Sequence, residues 1–277
     1  MTEPSTRGPL KRLYGTLPRS LRDRVRWLKR PLWSAFAGAL WRATGGLTVQ
    51  GPFAGLRMNR KFFPPMLLGC YEREVHPWLE AVIATHPRHI VNIGGGNGFY
   101  AAGIALRCPG ATVIVFEMEE SARRVIHDFV RDNGVSDRVD VRGTCTAQTL
   151  HAALDEREGA SAPDAAGTFI MIDVEGAEME LLDPVAVPAL RTTTILVETH
   201  DLFVPGCNQA MYDRFGDSHR ITAVESSPRS AADWPAELLP TWRRLMPGAM
   251  LESMSEFRGG PQTWLLLEPI LSQGTAT

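Results

Sequence analysis

A short apolar run, His89-Ile-Val-Asn-Ile93, ends on Gly94-Gly-Gly-Asn-Gly98 and passes at once into a helical stretch over 98–108. This order restricts the fold. Glycine permits positive φ and lets another group approach the backbone closely. A helix that opens there turns its free N–H groups and dipole toward the same place, which favours a negatively charged group. Gly94, Gly96 and Gly98 form a G-x-G-x-G pattern. Residues 112–116, 138–142, 168–173 and 193–200 read as further strands, and 219–225 and 263–268 look like two more. Between them, 71–84, 121–133, 147–156 and 178–182 read as helices, and Gly134 closes the second of these. Alternating strands and helices predict an α/β fold with a doubly wound, mostly parallel sheet of seven strands. The nearly continuous apolar runs fit strands covered by helices on both faces.

The 277 residues, 44% of them hydrophobic, suit one domain with an extension. A net charge of −2 argues against a dedicated nucleic-acid binder. That total hides an asymmetry, since residues 1–44 hold ten Lys and Arg against two acids. Leu21, Val25 and Leu28, then Leu32, Phe36 and Leu40, recur there at helical spacing, and Pro31 separates the two groups. One reading is a basic amphipathic helix in weak contact with an anionic membrane surface. The other is a helical cap packed on the main domain. We therefore divide the chain into an extension over 1–60 and a main domain over 61–277. The longest apolar stretch near the start, 31–41, is about half the ~20 residues that span a bilayer. No signal peptide is visible. Cys70, Cys108, Cys145 and Cys207 stand far apart without a CxxC pair, which points to a reducing, cytoplasmic setting.

Glu117 ends the second strand, close to the ~20-residue spacing at which an acid after the glycines grips ribose hydroxyls. A carboxylate there repels a 2′-phosphate, so NADP is disfavoured. NAD is not: Gly96-x-Gly98-x-x-Ala101 also fits the dinucleotide form of the fingerprint. Two acidic clusters follow at later strand ends. One is Asp173-Val-Glu-Gly-Ala-Glu178, the other Glu198-Thr-His-Asp201. Ligands in open α/β sheets bind beyond the carboxyl ends of the strands. Because residues i and i+2 of a strand share a face, Asp173 with Glu175, and Glu198 with His200, are expected to point into one crevice.

Taken together, Asn92-Ile-Gly-Gly-Gly-Asn-Gly-Phe-Tyr100, Phe116-Glu117, Ile172-Asp-Val-Glu-Gly-Ala-Glu178 and Val197-Glu-Thr-His200 resemble the FkbM-type methyltransferases. Gly69-Cys-Tyr-Glu72 and Trp264-Leu-Leu-Leu-Glu-Pro269 are also similar to that family's pattern. The resemblance covers roughly 67–270. It implies a Rossmann-like class I methyltransferase fold whose last strand is inserted antiparallel. It implies S-adenosylmethionine as cofactor and O-methylation of a small-molecule or sugar hydroxyl, a step often met in secondary metabolism. The sequence departs from the family at Asn92, where the family carries Asp, and at Gly95-Gly96, where Ala-Asn is usual. The second change reads as a looser turn.

On this basis Tyr71, Glu72, Asn92, Gly94, Gly96, Gly98, Glu117, Thr144, Cys145 and Asp173 are the candidate cofactor residues. Tyr71 and Glu72 open the helix before the first strand, and Thr144 and Cys145 follow the third strand, near where adenine would lie. His200 is the candidate general base, with Asp173 and Glu198 beside it, because its ordinary pKa of ~6.5 suits proton transfer. The same three residues form a set suited to Mg²⁺, Mn²⁺ or Fe, which would activate an acceptor oxygen directly. Loop 201–217 and the segment 231–258 are candidate walls for a hydroxylated acceptor. Two other classes compete. An NAD-dependent oxidoreductase would use the glycine fingerprint, but no Tyr-x-x-x-Lys pair is present. A non-catalytic, methyltransferase-like binding module would dock through residues 1–44, and Asn92 favours it.

Overall fold

The computed structural model describes residues 35–270 except 61, 156–166, 202 and 259. The arginine-rich segment before residue 35 lies outside the described residues. Contacts divide the chain into two units, one ending at Gly45 and one beginning at Gly46. In the first, 35–44 is helical and Thr44 Oγ1 donates to the Trp41 carbonyl at 3.2 Å. Residues 46–60, read above as part of the extension, belong to the second unit, where the Phe53 ring meets Phe99 and Tyr100 edge-on. Among the described residues, no helix is long and apolar enough to cross a membrane.

The second unit is built on seven strands: β1 His89–Ile93, β2 Thr112–Phe116, β3 Val139–Arg142, β4 Thr168–Ile172, β5 Thr194–Thr199, β6 His219–Glu225 and β7 Thr263–Pro269. They lie in the order β3-β2-β1-β4-β5-β7-β6. Strands β1 to β5 are parallel, while β7 runs antiparallel between β5 and β6. This is the expected Rossmann-like class I methyltransferase fold with a reversed inserted strand. Every residue of β1 and β4 is buried, as strands covered on both faces require.

After a short helix at Pro64–Leu68, the helices are α1 His76–Ala84, α2 Phe99–Arg107, α3 Glu120–Asp132, α4 Ala147–Asp155, α5 Glu178–Leu181, α6 Cys207–Phe215, α7 Pro240–Leu245 and α8 Pro247–Ser253. In α3, the buried Ile126, Phe129 and Val130 share one face at spacings of three and four, and the polar remainder faces solvent. One large core gathers Val91, Ile93, Ile170, Ile172, Ile195 and Val197 from the central strands, with Leu150, Leu181 and Met211 from α4, α5 and α6. One expected helix is interrupted. Over 71–84, Glu72 adopts a left-handed backbone (φ 47°), a 3-10 turn follows at Arg73–Val75, and α1 begins at His76 with Pro77 in its first turn. Proline suits that position because its missing N–H has no helical partner there.

Candidate active site

The chain reverses at the carboxyl ends of β1, β2, β4 and β5, and the site residues gather there. The glycine turn is fixed from below. A Cβ on Gly94 would stand 1.8 Å from the Asp173 carbonyl oxygen, and Gly94 also has φ +84°. Its glycine is thus required by the approach of the β4 end rather than by a ligand. A Cβ on Gly95 would meet Val115 Cγ1 at 2.5 Å and Ile126 Cδ1 at 2.7 Å. Gly95 therefore makes a tighter turn than an Ala there would allow, and the expected looseness is corrected. Gly96 differs: it has φ +53° and open space where a Cβ would lie. Gly98, at φ +86°, opens α2.

Glu117 bends back over this turn. Its Oε2 accepts the Gly96 N–H at 2.8 Å and its Oε1 the Glu119 N–H at 2.9 Å. The carboxylate, expected to meet ribose hydroxyls, is buried and tied to the glycine loop. Asn92 lies at the end of β1 with its side chain buried, and its Oδ1 meets no donor among the described residues. A buried acceptor without a donor is costly and calls for a partner. Thr144 is exposed and Cys145 half-buried, two and three residues beyond Arg142, whose carbonyl accepts the Glu117 N–H at 3.2 Å. Burial pushes the Cys145 thiol up to about 12, so it carries no thiolate and is no nucleophile at neutral pH.

The second half of the site joins the first where Asp173 N–H donates to the Ile93 carbonyl at 3.0 Å. His200 follows β5 and is 2% exposed. Its Nδ1 lies 2.5 Å from Glu178 Oε1, and its Nε2 lies 3.6 Å from Asp173 Oδ1 and 3.8 Å from Glu198 Oε2. Phe203 stacks on the imidazole, with ring centroids 5.9 Å apart. Asp173, Glu198 and His200 each offer one ligand atom within 4.8 Å of the others, the spacing that a bound cation needs. Glu175 does not join them. Strand pairing stops at Ile172, the alternation of faces stops with it, and Glu175 is exposed on a left-handed backbone (φ 52°). Glu178, at the start of α5, takes its place.

Glu72 is joined to the same cluster through Arg258. Its carboxylate accepts from the Tyr100 hydroxyl and, at 2.5 Å, from Arg258 Nη2. Tyr71 packs edge-on to Phe63 and Phe99, with centroids 5.8 and 6.1 Å away. Arg258 also donates through Nη1 to Glu198 Oε1 and through Nε to Glu256 Oε2, the last at 2.7 Å. Behind it, Arg229 links Glu256 to Glu74. Arg258, Glu256, Arg229 and the role of Glu178 were not read from the sequence. Glu178 carried a local signal, as the sixth residue of the Asp-Val-Glu-Gly-Ala-Glu stretch, whereas Arg258 stands in Ser255-Glu-Phe-Arg258 with no periodic context.

Electrostatics follow from this crowding. Burial, reinforced by Asp173, pushes Glu72 up to about 7. Burial, then Asp173 and Glu72, pushes Glu198 up to about 9 despite Arg258. Burial also raises Asp173. For His200, burial works against the charged ring, but the hydrogen bond and charge of Glu178, then Asp173 and Glu175, prevail and raise it. Arg258 opposes the rise at Glu72, Asp173 and Glu198 alike, because its positive charge favours their ionised forms.

No family model matches the chain. It is similar to the O-methyltransferase TomG from Streptomyces achromogenes, involved in tomaymycin synthesis and solved in complex with SAM. The identity is 14%, 70% of this chain and 80% of that one are covered, and the TM-score is 0.43. It is similar to the O-methyltransferase from Bacillus cereus in complex with SAH, at 15% identity over 68% of this chain and 78% of that one, with a TM-score of 0.42. It is also similar to the METTL16 MTase domain, at 15% identity over 85% and 78%, with a TM-score of 0.48.

Proposed function

We propose that this chain is an S-adenosylmethionine-dependent O-methyltransferase of the FkbM type, acting on a hydroxyl of a small-molecule metabolite or sugar. One observation carries the reading. A carboxylate-oriented imidazole, Glu178–His200, turns its Nε2 toward Asp173 and Glu198 at the strand ends that adjoin the glycine turn. The residues present fit the cofactor. Asn92 Oδ1 is a buried acceptor awaiting a donor such as an ammonium. The open space over Gly96, the adjacent Glu117 carboxylate and the acid excess around Arg258 suit an adenosine ribose and a cationic centre. Gly94, Gly96, Gly98, Asn92 and Asp173 would hold the methionine part, Glu117 the ribose, and Thr144 with Cys145 the adenine edge. Tyr71 and Glu72 would close over it.

Bound S-adenosylmethionine supplies a methyl group on a positively charged sulfur. The chain's own residues do the rest. Glu178 fixes the tautomer of His200 so that Nε2 is the free nitrogen. His200 Nε2 would take the proton of the acceptor hydroxyl that the bound cofactor would methylate. Phe203 and the neighbouring residues of 201–217 would wall the acceptor and align it for in-line attack. A second reading has its own support in the mutual spacing of Asp173, Glu198 and His200, which fits Mg²⁺, Mn²⁺ or Fe²⁺. A metal there would lower the pKa of the acceptor hydroxyl. The setting we propose is the cytoplasm, supported by four cysteines that are all unpaired. The extension before Gly46 we propose as a cap or a weak contact to anionic membrane.

Calorimetric titration of the metal-stripped protein with S-adenosylhomocysteine, repeated with each divalent metal, tests this. We expect micromolar binding that Glu117→Ala abolishes. A separate metal heat that disappears in His200→Ala would establish the metal route. Absence of binding under all conditions would return the chain to an NAD-dependent or non-catalytic role.

A further inference from the structure

Arg258 stands where two halves of the site meet. Each arm of its guanidinium has a different acid: Nη1 donates to Glu198, Nη2 to Glu72 at 2.5 Å, and Nε to Glu256 at 2.7 Å. Glu256 in turn accepts the Glu72 N–H at 2.9 Å and is gripped by Arg229. Arg229 is itself held by both oxygens of Glu74, at 2.5 and 2.8 Å. The guanidinium is thus anchored from behind as well as in front. Arg229, Glu74 and Glu256 are all nearly inaccessible to solvent. Phe257, next to Arg258, adopts a left-handed backbone (φ 55°), which a bulky side chain rarely tolerates unless its surroundings impose it. Among the described residues, Arg258 is the one guanidinium bonded to Glu72 or Glu198.

We propose that Arg258 is a positioning residue whose fixed charge offsets Glu72 and Glu198 and so sets the balance between binding the cationic methyl donor and its neutral product. The inference rests on the S-adenosylmethionine reading above. Donor and product differ by one charge on sulfur, and methyl transfer removes that charge. Bare carboxylates at Glu72 and Glu198 would stabilise the donor more than the transition state, in which the charge is already fading. A guanidinium shared between them removes that bias while keeping both carboxylates in place.

The test compares affinities for S-adenosylmethionine and S-adenosylhomocysteine by calorimetry in the wild-type protein, Arg258→Gln and Arg258→Lys. We expect Arg258→Gln to shift the ratio toward the donor by about tenfold, the size of a lost close charge pair at a shielded site. Arg258→Lys should leave the ratio near that of the wild type, since it keeps the charge. Glu72→Gln should shift the ratio the other way, and it serves if Arg258→Gln does not fold. Equal weakening of both ligands in Arg258→Gln, or an unchanged ratio in Glu72→Gln, would show a purely structural role and overturn the proposal. If the wild-type protein binds neither ligand, the cofactor reading itself fails, a result separate from any change in ratio.

Discussion

His200 and Glu178 share a buried contact of 2.5 Å between Nδ1 and Oε1, and it is this carboxylate that decides which imidazole nitrogen is free. Outer partners of this kind typically account for about 10–100-fold in activity. Glu178→Gln should therefore lower kcat by that order. It should also move the pH profile. A general base works only when unprotonated, and Glu178 raises the pKa of His200. Its loss lowers that pKa, so the acidic limb of kcat/KM moves to lower pH. A drop in rate with an unmoved limb would show that Glu178 acts on packing alone.

The glycine turn separates stability from binding. Gly94→Ala drives a Cβ into the Asp173 carbonyl, so we expect failure to fold or a loss of several kcal/mol. Gly96→Ala meets open space and is opposed only by its left-handed backbone, at roughly 1–2 kcal/mol. Thermal unfolding beside S-adenosylhomocysteine titration should find Gly96→Ala folded but weak in binding. If it binds as the wild type does, the cofactor does not lie over Gly96.

Acid stability should depend on Glu74. Its burial alone would raise its pKa, but the hydrogen bonds from Arg229 and its charge hold it down to about 2 from an ordinary 4.5. Because the folded value is depressed, the stabilisation is complete above the unfolded value and is lost as pH falls from about 4.5 toward 2. Glu74→Gln should flatten the dependence of unfolding free energy on pH in that window. It should also destabilise the protein at neutral pH, by less than the ~3–5 kcal/mol of an unpaired buried charge, because Arg229 loses one of its two acids and keeps Glu256.

Phe203 lies on His200 yet is 62% exposed, which suits a ring that meets the acceptor. Phe203→Ala should raise the KM for acceptor several-fold and leave S-adenosylhomocysteine affinity unchanged. Equal losses in both would place the ring in the cofactor pocket instead.

The central strands were legible because they are nearly continuous apolar runs, and the observed bounds of 89–93 and 112–116 are those read from the sequence; 219–225 also has the bounds read, although it is half polar. The glycine turn and Glu117 were legible because local spacing carries them. Helix α6 was not: Cys207–Phe215 is short, with polar Asn208, Gln209, Asp213 and Arg214 among three buried residues, and it was read as loop. Glu175 was misplaced because the two-residue alternation holds only while the strand lasts. Arg258 was invisible for a different reason. Its partners Glu72 and Glu198 lie 186 and 60 residues away, and only the folded path of the chain brings them together.

That path has a consequence for how the protein is made. Strand β7 follows β6 in the chain but lies between β5 and β6 in the sheet. On the ribosome, β1 to β5 can emerge and pair, with Glu72, Asp173 and Glu198 already brought together, while Arg258 is still being synthesised. During that interval Glu72 and Glu198 lack the guanidinium that pairs with them in the folded chain, and β6 lacks the strand it pairs with. Arg258 precedes β7 in the chain by only a few residues, so the strand that completes the sheet and the guanidinium that joins Glu72 to Glu198 arrive on the same stretch of sequence.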